Sequence, residues 1–437
     1  MNLIKNNIQH WIKYSLILLP FLGSAQRLSL QDAINLTLKK NYEIQITKNS
    51  LDIATINNDL GIAGGLPTVS GTASNQESVT NLNQTLNTGS QISKTGVGTN
   101  TTAVNVTGSM LLYNGYRVVA TKKRLEALEQ QSQQQLNSLI QSTIALVTDK
   151  YYDIVRQQSY MKTLQQSIDL SKQQLDIITT KKDIGVANNA DLFQAQIDLN
   201  TRLQDYTSQE LVVRNAKTDL STIMGVSSDS NIIISDSIIV DKNLLLAPIL
   251  DSLKKNPDIV SVEKQIFINQ QIEKETSAQR YPSLRANTGL NYGRTQSDAG
   301  QTLFNQSYGP FLGLSLSVPI YNAGITKRQE RIASINTKSA KLQKDSLINS
   351  YQSGIMKVYQ SYVTNIKQAE KQLINYNLSA QLVDLSLQRY KLAQATIIEL
   401  REAQKSYEDA GYRLVNLLFA AKVAEIELKR ISNSLGL

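Results

Sequence analysis

The 437-residue chain has no cysteine, one histidine, one tryptophan, six phenylalanines and seven prolines. Each scarcity excludes something. Without cysteine there is no disulfide framework, no thiolate nucleophile and no lipid-modified N-terminal cysteine. With His10 as the only imidazole, no zinc-ligand spacing can be assembled. No Gly-rich phosphate loop stands between a strand and a helix, so the chain offers no catalytic constellation, no cofactor site and no metal site. Beyond residue 25 no run of 18 apolar residues occurs, which excludes transmembrane helices. That leaves barrel strands open, because they show only a weak alternating trace.

What is present begins with a leader. Lys5 and Lys13 supply positive charge, Tyr14–Leu22 is a short apolar run, and Gly23-Ser24-Ala25 offers small residues for cleavage. Residues 1–25 therefore read as a secretory signal peptide. Its removal lowers the net charge from +9 to +7. Lys and Arg alternate with Gln, Asp and Glu along helical tracts, as on a solvated helix surface, so the basic balance does not imply nucleic acid.

The tetrapeptide LKKN occurs at Leu38–Asn41 and again at Leu253–Asn256. The offset of 215 also carries Leu66-Pro67 onto Tyr281-Pro282. After one change of register, an offset of 208 carries Tyr113-Asn114 onto Tyr321-Asn322, Tyr151 onto Tyr359 and Ala195-Gln196 onto Ala403-Gln404. The unit is far longer than a solenoid repeat. The chain reads as a tandem duplication, 26–225 and 246–437, joined by a linker at 226–245.

Within each copy the period changes. No Pro or Gly lies between Tyr116 and Ile184, and Leu136, Ile140, Ile144, Val147, Tyr151 and Ile154 recur at helical spacing. The second copy repeats this with Leu347, Tyr351, Ile355, Val358, Tyr362 and Ile366. These stretches predict helical hairpins over 116–225 and 323–432, whose first helices would be roughly 100 Å long. Shorter helices are expected at 29–66 and 246–280. Between them the period is two: Leu312, Leu314, Leu316 and Val318 alternate with Gly and Ser. Strands are expected at 68–80, 102–112, 283–294 and 309–319, with polar loops at about 76–101 and 295–308. Four strands cannot close alone in lipid, where no edge can be left unpaired. Several chains must therefore pool strands, and three would supply twelve.

In order and duplication these residues resemble the TolC-like outer membrane efflux proteins, over essentially the whole chain beyond residue 25. The resemblance rests on Leu28-Ser29-Leu30-Gln31-Asp32-Ala33, Leu66-Pro67, Tyr113-Asn114-Gly115 and Tyr321-Asn322-Ala323-Gly324. It rests further on Gly185 with Asp191-Leu192 and Ala195-Gln196, and on Arg389-Tyr390 with Glu399-Leu400 and Ala403-Gln404. It implies a mainly α fold with a small β part. A homotrimer would join an α-barrel of helical hairpins to a 12-stranded transmembrane β-barrel, four strands per chain. It also implies an outer membrane location with the helices in the periplasm, a periplasmic adaptor and an inner-membrane transporter as partners, and no enzymatic step. Leu312, Leu314, Leu316 and Val318 would face lipid. Glu399, Glu402, Asp191 and Tyr390 would form the periplasmic constriction, where threefold symmetry gathers carboxylates that attract cations. Gly185, Val186, Ala187, Ala393, Ala395 and Thr396 would be the adaptor-contacting tips. The family's basic residue beyond the tip glycine is replaced here by Ala187 and Ala395. Two other readings stand beside these: acids that serve only the N-terminal helix dipoles, and a chain that is a secreted coiled-coil filament without pore activity.

Overall fold

The computed structural model describes residues 27–227 and 232–435, so the signal-peptide expectation at 1–25 and part of the linker lie outside the described residues. The elements are, in order, α1 (Leu30–Lys40), α2 (Tyr42–Asn57), β1 (Thr68–Thr85), β2 (Gln91–Tyr113), α3 (Arg117–Asp183), α4 (Asn189–Met224), α5 (Leu246–Ser252), α6 (Pro257–Ser277), β3 (Ser283–Ser297), β4 (Phe304–Ser317), α7 (Ile325–Lys391) and α8 (Ile397–Ile431). The chain divides into two units. One comprises the residues up to Glu43 with Ile140–Leu250 and Gly354–Leu437; the other comprises Ile44–Leu139 and Asp251–Ser353.

The repeated LKKN is a helix punctuation mark. Asn41 ends α1 at φ −61°, ψ 126°, and its side-chain amide donates to the Ile223 carbonyl at 2.9 Å. Asn256 takes φ −63°, ψ 128° before α6, accepts from the Asp258 N–H and is followed by Pro257 in the first turn. A side-chain acceptor at the N-cap satisfies a donor that the helix itself leaves unpaired. The strand-to-helix turns repeat equally closely. Gly115 and Tyr116 have φ of 67° and 65°, and their counterparts Ala323 and Gly324 have 52° and 69°. Glycine is required at position 115, where a Cβ would lie 2.7 Å from Tyr281.

In the first unit the core gathers Ala33, Ile34, Ile144, Val147, Tyr151, Ile154, Leu220 and Met224, with Ile232 and Ile234 of the linker. The helical period read from Ile144 to Ile154 is thus a buried stripe. The described part of the linker is otherwise irregular, with an isolated bridge between Arg27 and Ile233.

The second unit holds one antiparallel sheet in the order β1-β2-β3-β4. Its strands run past the expected ends: the stretches 81–85 and 91–101 are strand, and so are 295–297 and 304–308. The loop expectation failed because a strand solvated on both faces shows no apolar alternation, although Thr and Val still favour extended backbone. Directly paired residues share a face. One face carries the rows Leu314–Ala286–Met110, Leu312–Thr288–Gly108–Val69, Pro310–Leu290–Val106–Gly71 and Tyr308–Tyr292–Val104–Ala73. The next row outward is polar: Gln306, Arg294, Thr102 and Asn75. The opposite face carries Ser307, Ser315, Asn287, Asn291 and Asn105. Leu312 and Leu314 are 84% and 69% exposed, and Leu290 is 60% exposed.

Candidate functional site

The two hairpin turns are built alike. At the first, the Val186 N–H donates to the Lys181 carbonyl at 2.8 Å and the Gly185 N–H to Lys182 at 2.9 Å. At the second, the Gln394 N–H donates to Arg389 at 2.8 Å and the Ala393 N–H to Tyr390 at 3.1 Å. This is the paired closure that ends a helix with a left-handed residue, Gly185 at φ 79° and Ala393 at 57°. Each outgoing helix is then capped by side chain: Asn188 Oδ1 accepts from the Asp191 N–H, and Thr396 Oγ1 from the Glu399 N–H.

Beneath the turns Ile178, Ala195, Leu387, Tyr390 and Leu400 form a small core, with Leu192, Ala395 and Ile397 against it. The Leu-Ala spacing repeated in the two tip motifs is therefore packing. Gly185, Val186, Ala393 and Thr396 are exposed, and Ala187 and Ala395 are half-buried. Asp191 sits in the first turn of α4. Tyr390 is buried; burial first, and the Asp191 charge second, push its phenol above the ordinary range. Glu399 is exposed, with its carboxylate 3.7 Å from Arg389 and accepting from the Thr396 hydroxyl at 3.3 Å. Glu402 is exposed on a cavity of about 280 Å³ that it shares with Asp198, Arg202, Arg401 and Lys405.

The positive groups at the tips come from the ends of the incoming helices. Lys181 crosses from α3 to α7, donating to the Tyr390 carbonyl at 2.6 Å with its ammonium 4.1 Å from the Tyr390 ring centre. Arg389 instead stays within its own turn, donating to the Gln394 carbonyl at 3.0 Å. Sequence reasoning missed both roles, although Lys181 and Arg389 are register mates at the offset of 208. It also missed Glu408, whose carboxylate accepts from Ser167 and lies 2.9 Å from Arg202.

One antiparallel four-stranded sheet and two long helical hairpins, half of each from either repeat, define the fold of outer membrane channel proteins. Two solved examples align with nearly all of the chain. CusC matches with a TM-score of 0.77 at 15% identity, covering 92% of this chain and 91% of that one. The CmeC outer membrane channel of Campylobacter jejuni matches with 0.77 at 16%, covering 93% and 85%. The outer membrane protein TolC of Vibrio cholerae is 20% identical over 323 residues, 71% of this chain and 72% of its own. The family described as "Outer membrane efflux protein" matches twice, over 33–226 and 249–434, once per repeat. The chain belongs to the outer membrane efflux protein family.

Proposed function

We propose that three copies of the chain close their sheets into one 12-stranded barrel in the outer membrane. The helical hairpins then line a periplasmic conduit whose entrance lies at the tips. The assembly acts as the exit duct of a tripartite efflux or type I secretion system. A periplasmic adaptor contacts the tips, and an inner-membrane transporter supplies the energy. The observation that carries this reading is the sheet: β1 and β4 are open edges, and the contiguous apolar face has no protein partner among the described residues. Spanning sheets must close, and lipid is the partner such a face requires. From Tyr308 to Leu316 the band measures about 27 Å along the strand, enough when tilted to fill most of the roughly 25 Å apolar height of such barrels. Tyr292 and Tyr308 stand at one end, Tyr113 and Tyr321 at the other, where aromatic girdles belong. A secreted filament would have no reason to expose these rows to water.

At the entrance, Glu399 and Glu402 lie three residues apart on one helix face, with Asp191 and Tyr390 close by. Threefold symmetry makes rings of their carboxylates, so the channel prefers cations. Because Arg389 already offsets Glu399, Glu402→Gln is expected to reduce cation preference more than Glu399→Gln, in recordings from planar bilayers. A purified chain that is a water-soluble monomer released by osmotic shock would sink the channel. Anion preference unchanged in the double variant would sink the constriction. Photocrosslinkers at Val186 and Thr396 are expected to capture the adaptor in cells.

A further inference from the structure

At the root of the sheet, where β2 turns into α3, lies a cavity of about 340 Å³ lined by Tyr113, Tyr116, Tyr281, Lys123, Lys274 and Gln271. A bulge between Leu111 and Tyr113 sets Tyr113 opposite Leu284, which is itself paired with Leu316. Directly paired residues share a face, so Tyr113 ends the apolar face and the cavity begins where that face stops. Tyr113 and Tyr116 meet edge to face with ring centres 5.9 Å apart, and Tyr281 packs against the Gly115 turn. β2 and β3 are the central strands, so closing a barrel through the edges β1 and β4 leaves this cavity uncovered.

The lining carries charge of one sign. No carboxylate lines the cavity, and the exposed ammonium groups of Lys123 and Lys274 pair with nothing among the described residues. Gln271 of α6 is 1% exposed, and its Oε1 accepts from no donor among the described residues. A buried acceptor without a donor is a cost that an incoming hydroxyl removes. The chemistry that fits is therefore an anion with a hydroxyl close by. A ligand ammonium would meet two like charges and no acid. Tyrosines along the wall suit the boundary between headgroups and hydrocarbon.

We propose that this cavity binds the phosphoglycerol headgroup of an acidic phospholipid in the periplasmic leaflet. Lys123 and Lys274 take the phosphate, a glycerol hydroxyl donates to Gln271 Oε1, and the acyl chains lie along the apolar face beyond Tyr113. The inference rests on that face meeting lipid, as proposed above.

The test uses the assembled full-length channel in detergent, with retained lipid counted by native mass spectrometry. Phosphatidylglycerol is expected to bind more tightly than phosphatidylethanolamine, which brings an ammonium. It should also bind about fivefold more tightly than phosphatidylethanol, which keeps the charge but lacks the hydroxyl. Gln271→Met should erase that second preference. Lys123→Gln with Lys274→Gln should weaken phosphatidylglycerol about thirtyfold, roughly fivefold per lysine. Equal retention of phosphatidylglycerol and phosphatidylethanolamine by the unaltered chain overturns the site, and this comparison needs no variant to fold. A preference over phosphatidylethanol that survives Gln271→Met overturns the hydroxyl contact. Displacement of the lipid by inorganic phosphate at equal concentration overturns the lipid assignment in favour of a free-phosphate site. A chain that assembles no channel sinks the proposed function and this site with it, whereas an intact channel without these preferences sinks the site alone.

Discussion

The two copies of the repeat solve the same problems with different residues, and the differences are informative. In the sheet, the second copy supplies the larger apolar groups. Leu312, Leu314 and Leu316 occupy the places held in the first copy by Val104, Val106 and Gly108, and Leu290 and Tyr292 stand where the first copy has Asn75 and Glu77. At the tips, Lys181 of the first copy reaches across to Tyr390 of the second, whereas Arg389 of the second copy closes on its own turn and Glu399. Duplication fixed the backbone; divergence decided which copy carries the bulk on the apolar face and which copy reaches across to the other hairpin.

The largest expected effect tests whether both copies face hydrocarbon despite this inequality. Leu314→Arg and Val106→Arg occupy equivalent places on one face, and each should cost about 2–4 kcal/mol if that level lies near the bilayer midplane. Ser315→Arg, on the opposite face, should be tolerated. The measurement is the fraction of folded, heat-resistant oligomer recovered in lipid vesicles. Tolerance of Val106→Arg beside intolerance of Leu314→Arg would mean that only the second copy meets lipid, and the comparison would break.

A smaller effect separates the two tip turns. Gly185 holds a left-handed conformation without strain, and no atom lies within 4 Å of a Cβ placed there, so Gly185→Ala meets only the backbone penalty of about 1–2 kcal/mol. Ala393 already carries that penalty. Ala393→Gly should gain about what Gly185→Ala loses, because the greater freedom of glycine in the unfolded chain offsets roughly 0.4–1 kcal/mol of the penalty in both exchanges. Hydrogen exchange at the amides of Val186 and Gln394 reads each turn locally. Unequal magnitudes would show that the two turns differ in more than the residue that holds the left-handed conformation.

What the sequence disclosed, and what it hid, follows the same physics. The long helices were legible because Ile144, Val147, Tyr151 and Ile154 face a core and keep the helical period. The inner part of the sheet was legible where Leu312, Leu314 and Leu316 alternate with small residues. Beyond the tyrosine rows both faces are polar, period-two apolarity vanishes, and the strand residues Asn81–Thr85 and Gln91–Thr101 looked like loop. The tip motif pointed to the right turns, but much of it proved to be packing: Ala195 and Leu400 are core. Lys181 and Glu408 were invisible because their roles depend on partners roughly 200 residues away. One-dimensional spacing carries no trace of such contacts.

Glu408 marks the sharpest departure between the copies. Its register mate is Asn200, which is exposed, while Glu408 is buried against Ser167 and Arg202. Burial pushes its carboxyl above the usual glutamate range. Asp205 and Asp409 push the same way, and the Ser167 hydrogen bond and the Arg202 charge oppose them without prevailing. A folded-state pKa above the unfolded one means that the folded chain holds this proton more tightly. The stabilisation from Glu408 is therefore complete below the ordinary glutamate range and is lost as pH rises through the raised value. Glu408→Gln keeps the shape, removes the titration and leaves Arg202 beside Asp205 at 3.5 Å. The variant should melt higher than the unaltered chain at pH 8, by an amount on the order of 1 kcal/mol, and the gap should narrow toward pH 5. A gap that widens on acidification would mean that the Arg202 attraction outweighs burial at this level. Glu408 would then act as a conventional ion-pair partner, and the copies would differ there by an added bond in place of a buried charge.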